Sequence, residues 1–154
     1  LAVKAEDLVA WSKLPPVPAN LQLHPLTPEQ CPSMCEQLNA YLSTKAVAPR
    51  FSLEEFKHWF LPRDGIISSH TTEPAENGSS GFVSFFCIRM RTSTCSVPDA
   101  TPLKFAYSFY NFIPVPTEQG PAIAFRDLLA GAVVAAHNEG FDKFHCLDIM
   151  DNVD

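Results

Sequence analysis

The chain has 154 residues, of which 46% are hydrophobic and 18% charged, with a formal net charge of -6. That length and balance suit one folded domain with its own core and exclude a disordered chain. The 11 Lys and Arg form no dense block, and the thin run Arg89-Met90-Arg91 is no nucleic-acid footprint, so nucleic acid is excluded as a partner.

From the N-terminus, "LPPVP" (Leu14 to Pro18) reads as a stiff extended lead-in, so residues 1–20 are assigned to a lead-in and 21–154 to a single domain. "LQLHPL" after it predicts a short first strand. Thr27-Pro28-Glu29-Gln30 has a capping-box pattern, and Met34, Leu38, Tyr41 and Leu42 recur at helical spacing, which predicts a helix from a Thr27 cap to about Ser43. Pro32 is tolerable only near the start of such a helix. Ser52-Leu53-Glu54-Glu55 is a second capping box, opening a short helix that runs through Trp59 and stops before Pro62.

Three strands are predicted next: "GIISSHTTE", then "GFVSFFCIRM" after the hairpin signal Asn77-Gly78, then "LKFAYSFYNFIP" after a longer loop. Strict alternation would put Leu103, Phe105, Tyr107, Phe109 and Asn111 on one face of the last of these, and Lys104, Ala106, Ser108, Tyr110 and Phe112 on the other. Both faces carry aromatics, so this strand is expected to be central and covered on both sides. Phe125, Leu128, Leu129, Ala132, Val133 and Ala136 make an amphipathic helix, with Pro121 suited to its first position and Gly140 to its C-terminal cap. "DKFHCLDIM" predicts a final strand, parallel to 103–113 across a right-handed crossover.

The order β-α-α-β-β-β-α-β describes an α/β fold of the α+β mixed-sheet kind, with helices on both faces. No stretch approaches the ~18 consecutive apolar residues of a membrane span, and no signal pattern opens the chain. Cys31, Cys35, Cys87, Cys95 and Cys146 include no C-x-x-C spacing and read as reduced thiols of a cytoplasmic protein, with no metal site. Asn77-Gly78-Ser79 matches a glycosylation sequon but reads as a turn.

The element order is that of the acetyltransferase-like (GNAT) fold, and the words go further. "VAPRFSLEEFKHWFLPRDGII", "FVSFF", "LKFAYSFYNF" and "GFDKFHCLDIMDN", in this order and after "LPPVP", resemble the peptide-facing second half of N-myristoyltransferases. The likeness runs from about Lys13 to Asn152. It implies an N-acyltransferase whose acyl donor, myristoyl-CoA, is held by an upstream half that also supplies the oxyanion hole. It implies a base at the family's own C-terminus, beyond final strands that lie past Asp154. Leu1 opens mid-pattern without Met, and the chain is accordingly expected to be a piece of such a protein.

No catalytic residue is therefore expected in this chain. No CoA site is expected either: the turn "PVPTEQGPAIAF" has one echo of a phosphate-cradling loop, Gln119-Gly120, and Pro121 removes an amide from it. What the resemblance implies here is a groove for N-terminal glycine peptides. Tyr107 matches the tyrosine of the family's "A-A-Y-S-F-Y-N" words, which lines that groove; read from the residues alone it is equally a core phenol bonded to backbone. Tyr110 is expected to face the other way. Ser93 and Thr94 lie where the family has a substrate-contacting turn, or else in a solvated loop, and Arg89 and Arg91 beside them are additions that would repel a lysine-rich peptide. His145 stands where the family motif has asparagine, as a groove residue or a structural histidine. His58 and Trp59 read as an aromatic clamp under the sheet, while His24, His70 and His137 carry no signal. The implied partners are the acyl-CoA-binding half and glycine-terminal peptides; the alternative is a stand-alone half that binds N-terminal peptides without acylating them.

Overall fold

The computed structural model describes residues 13–19, 21–75, 78–91, 102–113, 124–147 and 149. Along the chain run β1 (Leu23–Pro25), α1 (Cys31–Leu42), α2 (Leu53–Phe60), β2 (Ile67–Thr72), β3 (Phe82–Met90), β4 (Leu103–Phe112), α3 (Phe125–Asn138) and β5 (Lys143–His145), the order read from the sequence. The strands form one sheet in the order β1-β2-β3-β4-β5, antiparallel throughout except for the parallel β4–β5 pair. α1 and α2 bury Met34, Leu38, Phe56 and Phe60 against Phe82 and Phe112 on one face. On the other face α3 packs Leu128, Ala132 and Ala136 against Val83, Phe85 and Ala106. α3 also lies close to β1, where a Cβ on Gly131 would meet Leu23 Cδ1 at 2.9 Å.

Local chemistry sets the helix ends. At α2 the capping box is complete: Ser52 Oγ accepts from the Glu55 N–H, and Glu55 Oε2 accepts from the Ser52 N–H at 2.8 Å. At α1 only half of one forms. Gln30 Oε1 accepts from the Thr27 N–H at 2.9 Å, but the intervening residues make a turn and the helix starts at Cys31, one turn later than a Thr27 cap predicts. That start places Pro32 in the first turn, where its missing N–H costs no hydrogen bond. α3 begins at Phe125 after an extended Ala124; Pro121 lies outside the described residues. Its C-terminus ends as the sequence predicts, with Gly140 at φ 76°, its N–H bonded to His137 O and the Phe141 N–H to Ala136 O. β5 is shorter than the predicted 142–150. Phe144 alone of its residues packs into the core, while Leu147 and Ile149 beyond it are 63% and 52% exposed, so no burial holds that segment to the sheet.

β4 departs from strict alternation. Val83 pairs with Asn111 and Phe85 with Ser108, so one residue of β3, Ser84, faces two of β4, Phe109 and Tyr110. The bulge is stitched by side chains. Ser84 Oγ donates to Tyr110 O at 2.9 Å and accepts from the Tyr110 N–H at 3.0 Å. The Ser84 N–H donates to Asn111 Oδ1, and Asn111 Nδ2 to Ser108 Oγ. Beyond the bulge the facing reverses. Tyr110 turns to the same side as Phe109, against the α1–α2 cluster, and not the opposite way as alternation requires. Burial there pushes the Tyr110 phenol above its ordinary pKa.

A polar tie joins α3 to β2. Glu139, capping α3, accepts from Ser68 Oγ and pairs with His70 Nε2 at 3.3 Å. His70, which carried no signal in the sequence, is buried and stacks on Phe85 at 5.9 Å. Burial pushes the Glu139 carboxyl up, but hydrogen bonds from His70 and Ser68, with the charges of His70 and Lys104, outweigh it and hold the carboxyl below its ordinary value.

Two outcomes are expected. Ser84→Ala leaves both backbone groups of Tyr110 without their partner in a buried strand and should cost roughly 1–3 kcal/mol in a urea titration; a change near zero would show that the bulge holds itself. A carboxyl held low in the folded state stabilises fully above its unfolded-state value and loses that contribution as pH falls through the folded one. Stability of the parent chain should therefore fall as pH drops through the ordinary carboxylate range and below it, and Glu139→Gln should flatten that limb in pH-dependent denaturation.

Candidate functional site

β4 and β5 pair through Phe105–Lys143, Ala106–Phe144 and Tyr107–His145, and pairing ends there while β4 runs on to Phe112. The two strands thus part at Tyr107 and His145, a fork in the sheet. Because Phe86 of β3 is paired with Tyr107, the three rings share one face of three neighbouring strands. His145 lies flat on Tyr107, with centroids 4.8 Å apart and planes 11° apart, and Phe86 stacks on the other side of Tyr107 at 5.6 Å and 18°. Phe105 meets His145 edge-on at 5.3 Å, and Phe109 meets Phe86 edge-on at 5.8 Å.

α1 and α2 cover the end of this face near Phe82 and Phe112, and burial along the rest is uneven, least at the fork. Phe105 is 8% exposed, Phe86 and Tyr107 are half-buried, and His145 is exposed. Among the described residues the Tyr107 hydroxyl and both ring nitrogens of His145 make no hydrogen bond, which leaves them for a ligand at the lip of an aromatic floor. Trp59 is 48% exposed and reaches Phe109 at 6.4 Å, with His58 edge-on to it. These two residues form the rim of the open face and not a clamp beneath the sheet, because Phe56 and Phe60 are the pair that α2 buries.

Of the sequence-derived candidates, Tyr107 and His145 come together, while Ser93 and Thr94 lie outside the described residues, as does 114–123 of the turn weighed for CoA. Arg89 is committed elsewhere: its guanidinium covers Gly65, where a Cβ would lie 3.0 Å from Nη2. Phe86 was missed, since nothing in "FVSFF" marks it except the register that sets it against Tyr107. Also missed was a groove of about 550 Å³ along the outer edge of β5, lined by Lys13, His137, Lys143 and His145 among others.

The fork gathers binding groups: stacked rings, a phenol and an imidazole. Ser68 and His70 line a separate cavity of about 350 Å³, but the Glu139 carboxylate stands between them, so that serine has no imidazole base. Among the described residues no three His, Cys, Asp or Glu side chains converge as metal ligands, and no helix is long and apolar enough to cross a membrane.

The sequence model of the family described as myristoyl-CoA:protein N-myristoyltransferase, C-terminal domain, matches residues 2–154. Among curated relatives, glycylpeptide N-tetradecanoyltransferase 1 of Arabidopsis thaliana is 33% identical over 141 residues, and glycylpeptide N-tetradecanoyltransferase 2 of Bos taurus 34% identical over 140. Each alignment takes in 91% of this chain but only 30% and 26% of those relatives, so the chain spans less than a third of their length. In fold, N-myristoyltransferase of Saccharomyces cerevisiae with bound myristoyl-CoA matches at a TM-score of 0.75, over 97% of this chain and 37% of that one, with 22% sequence identity.

Proposed function

The chain belongs to the N-myristoyltransferase family, to its C-terminal domain, and from that premise we propose that it is the peptide-binding half of a transferase that moves myristate from myristoyl-CoA to the N-terminal glycine of proteins. The observation that carries this reading is the fork, where Tyr107 and His145 stand with free polar edges on a half-open aromatic floor. A floor of stacked rings takes an extended peptide by burying its apolar atoms, and the two polar groups fix its register.

In this reading Tyr107, His145 and, by the family resemblance, Ser93 and Thr94 orient the glycine-terminal peptide. The acyl-CoA half-domain, outside this chain, presents the thioester. Attack by the glycine amine forms the amide N–C bond and breaks the thioester C–S bond; CoA leaves as the thiolate, and the proton lost by the amine passes to a base that this chain does not supply. The contribution of these residues is positioning, which turns an encounter of two substrates into a step within one complex. No acyl donor or other cofactor is assigned to this half, and its cysteines suit a reducing compartment such as the cytoplasm.

His145 in place of the family's asparagine favours a second reading, a half that holds N-terminal peptides without acylating them. Both readings share the groove and differ in what completes it.

Titration of a labelled glycine-terminated peptide, followed by fluorescence anisotropy, tests the groove. Tyr107→Phe should weaken binding roughly 3- to 10-fold, the worth of one hydrogen bond, while changing stability by less than about 1 kcal/mol. Intact affinity with a larger stability loss would make the phenol a structural group only. The purified chain alone should show no steady transfer of myristate from myristoyl-CoA to the peptide; sustained turnover would contradict the assignment of acyl-donor binding and base to other segments.

A further inference from the structure

We propose that the groove beside β5 selects peptides that carry carboxylates downstream of the N-terminus and disfavours lysine-rich ones, an inference that rests on the peptide-binding reading of the fork. The chain as a whole carries a net charge of -6, yet β3, β4 and β5 contain no Asp or Glu; of their basic side chains Arg89 lies over Gly65 and Lys104 over Phe141, while Lys143 and His145 line the groove. The groove along β5 adds Lys13 and His137 to Lys143 and His145. Asp142 is the one carboxylate among its described lining residues, and its Oδ2 is engaged by the Lys104 N–H at 2.7 Å. The nearby Glu139 is held by Ser68 and His70.

Two of these side chains stand at the fork itself. Lys143 is exposed, with its ammonium 5.9 Å from the centroid of the Phe105 ring, and His145 is stacked flat on Tyr107 with its edge outward. A peptide lying on the aromatic floor would run its next residues past both. Side chains bearing carboxylates would accept hydrogen bonds from them, and lysines would meet the like charge of Lys143 and Lys13, which among the described lining residues only Asp142 offsets. The positive groove is set against the sign of the whole molecule, so it is a local feature and not a consequence of composition.

Three labelled glycine-terminated peptides of equal length, with acidic, neutral and basic residues after a common N-terminal segment, should be titrated against the chain at low and high salt. The acidic peptide should bind roughly 10-fold tighter than the basic one at low salt, and the gap should narrow as salt screens it. Lys143→Glu should abolish or invert the preference; Lys13→Glu, on a separate segment, gives an independent arm should the first variant not fold. Equal affinities, or a preference for the basic peptide, would overturn the charge selection while leaving peptide binding in place. Binding of none of the three would remove both readings. An acidic preference unchanged in both variants would place its cause outside this groove, against the proposal. Capture by phosphatidylserine vesicles with no discrimination among peptides would assign the cations to a lipid surface instead and also overturn it.

Discussion

Ser84 donates to the carbonyl of Tyr110 and accepts from its amide, and through that two-way bond β4 carries one residue more than the strand beside it. The aromatic side of the molecule depends on this. A regular strand with these six aromatic or long apolar side chains would have put Leu103, Phe105, Tyr107 and Phe109 on one face and Tyr110 and Phe112 on the other. With the bulge, Phe105 and Tyr107 keep their facing, Phe109 and Tyr110 both turn to the side of α1 and α2, and Phe112 follows. Asn111, which would have joined the aromatics, turns to the other side and supplies part of the stitching. The two sides of the sheet then differ in kind. The α3 side sets the small residues Ala106, Ala132 and Ala136 among larger ones such as Phe85 and Leu128 and is covered by one long helix. The other is a broad aromatic surface that two short helices cover only in part.

That partial cover gives the fork its character. Phe60 makes edge or tilted contacts with Phe82, Phe109 and Tyr110, which closes the packed end. Past Phe109 the described helix residue that reaches this side is Trp59, and the ladder of Phe86, Tyr107 and His145 runs on from half-buried to exposed. The rings therefore serve each other as neighbours. Tyr107 is held between Phe86 and His145, so its hydroxyl is presented at a fixed place by packing alone.

The element order, the Ser52 cap, the Gly140 termination and the parallel closing pair were legible in the sequence because each has a local cause: a side chain at a set offset, a residue free to adopt positive φ, a connection of limited handedness. Tyr107 and His145 were legible as candidates through the family words around them. What was not legible has non-local causes. The facing of Tyr110 is decided by Ser84, distant in sequence, and no periodicity within "LKFAYSFYNF" records it. His70 gains its role from Glu139 on another element, and Phe86 gains its role from register. The later start of α1 was in reach, since Pro32 argues for it as strongly as Thr27 argues against.

The sheet's spatial order is also its order along the chain, with β1 at one edge and the three-residue β5 at the other. Each strand lies beside the one made before it, with long connections to close at β1–β2, across α1 and α2, and at β4–β5, across α3. An arrangement built by accretion also comes apart from its ends. β5 can peel from Tyr107, drawing Phe144 from the α3 side, while the four antiparallel strands and the α1–α2 cluster stay whole. The backbone amides that exchange earliest with solvent in a folded molecule should then include those of the fork. Whatever settles there acts on a segment with its own small opening equilibrium, and its occupancy would be readable as protection of Phe144 and His145.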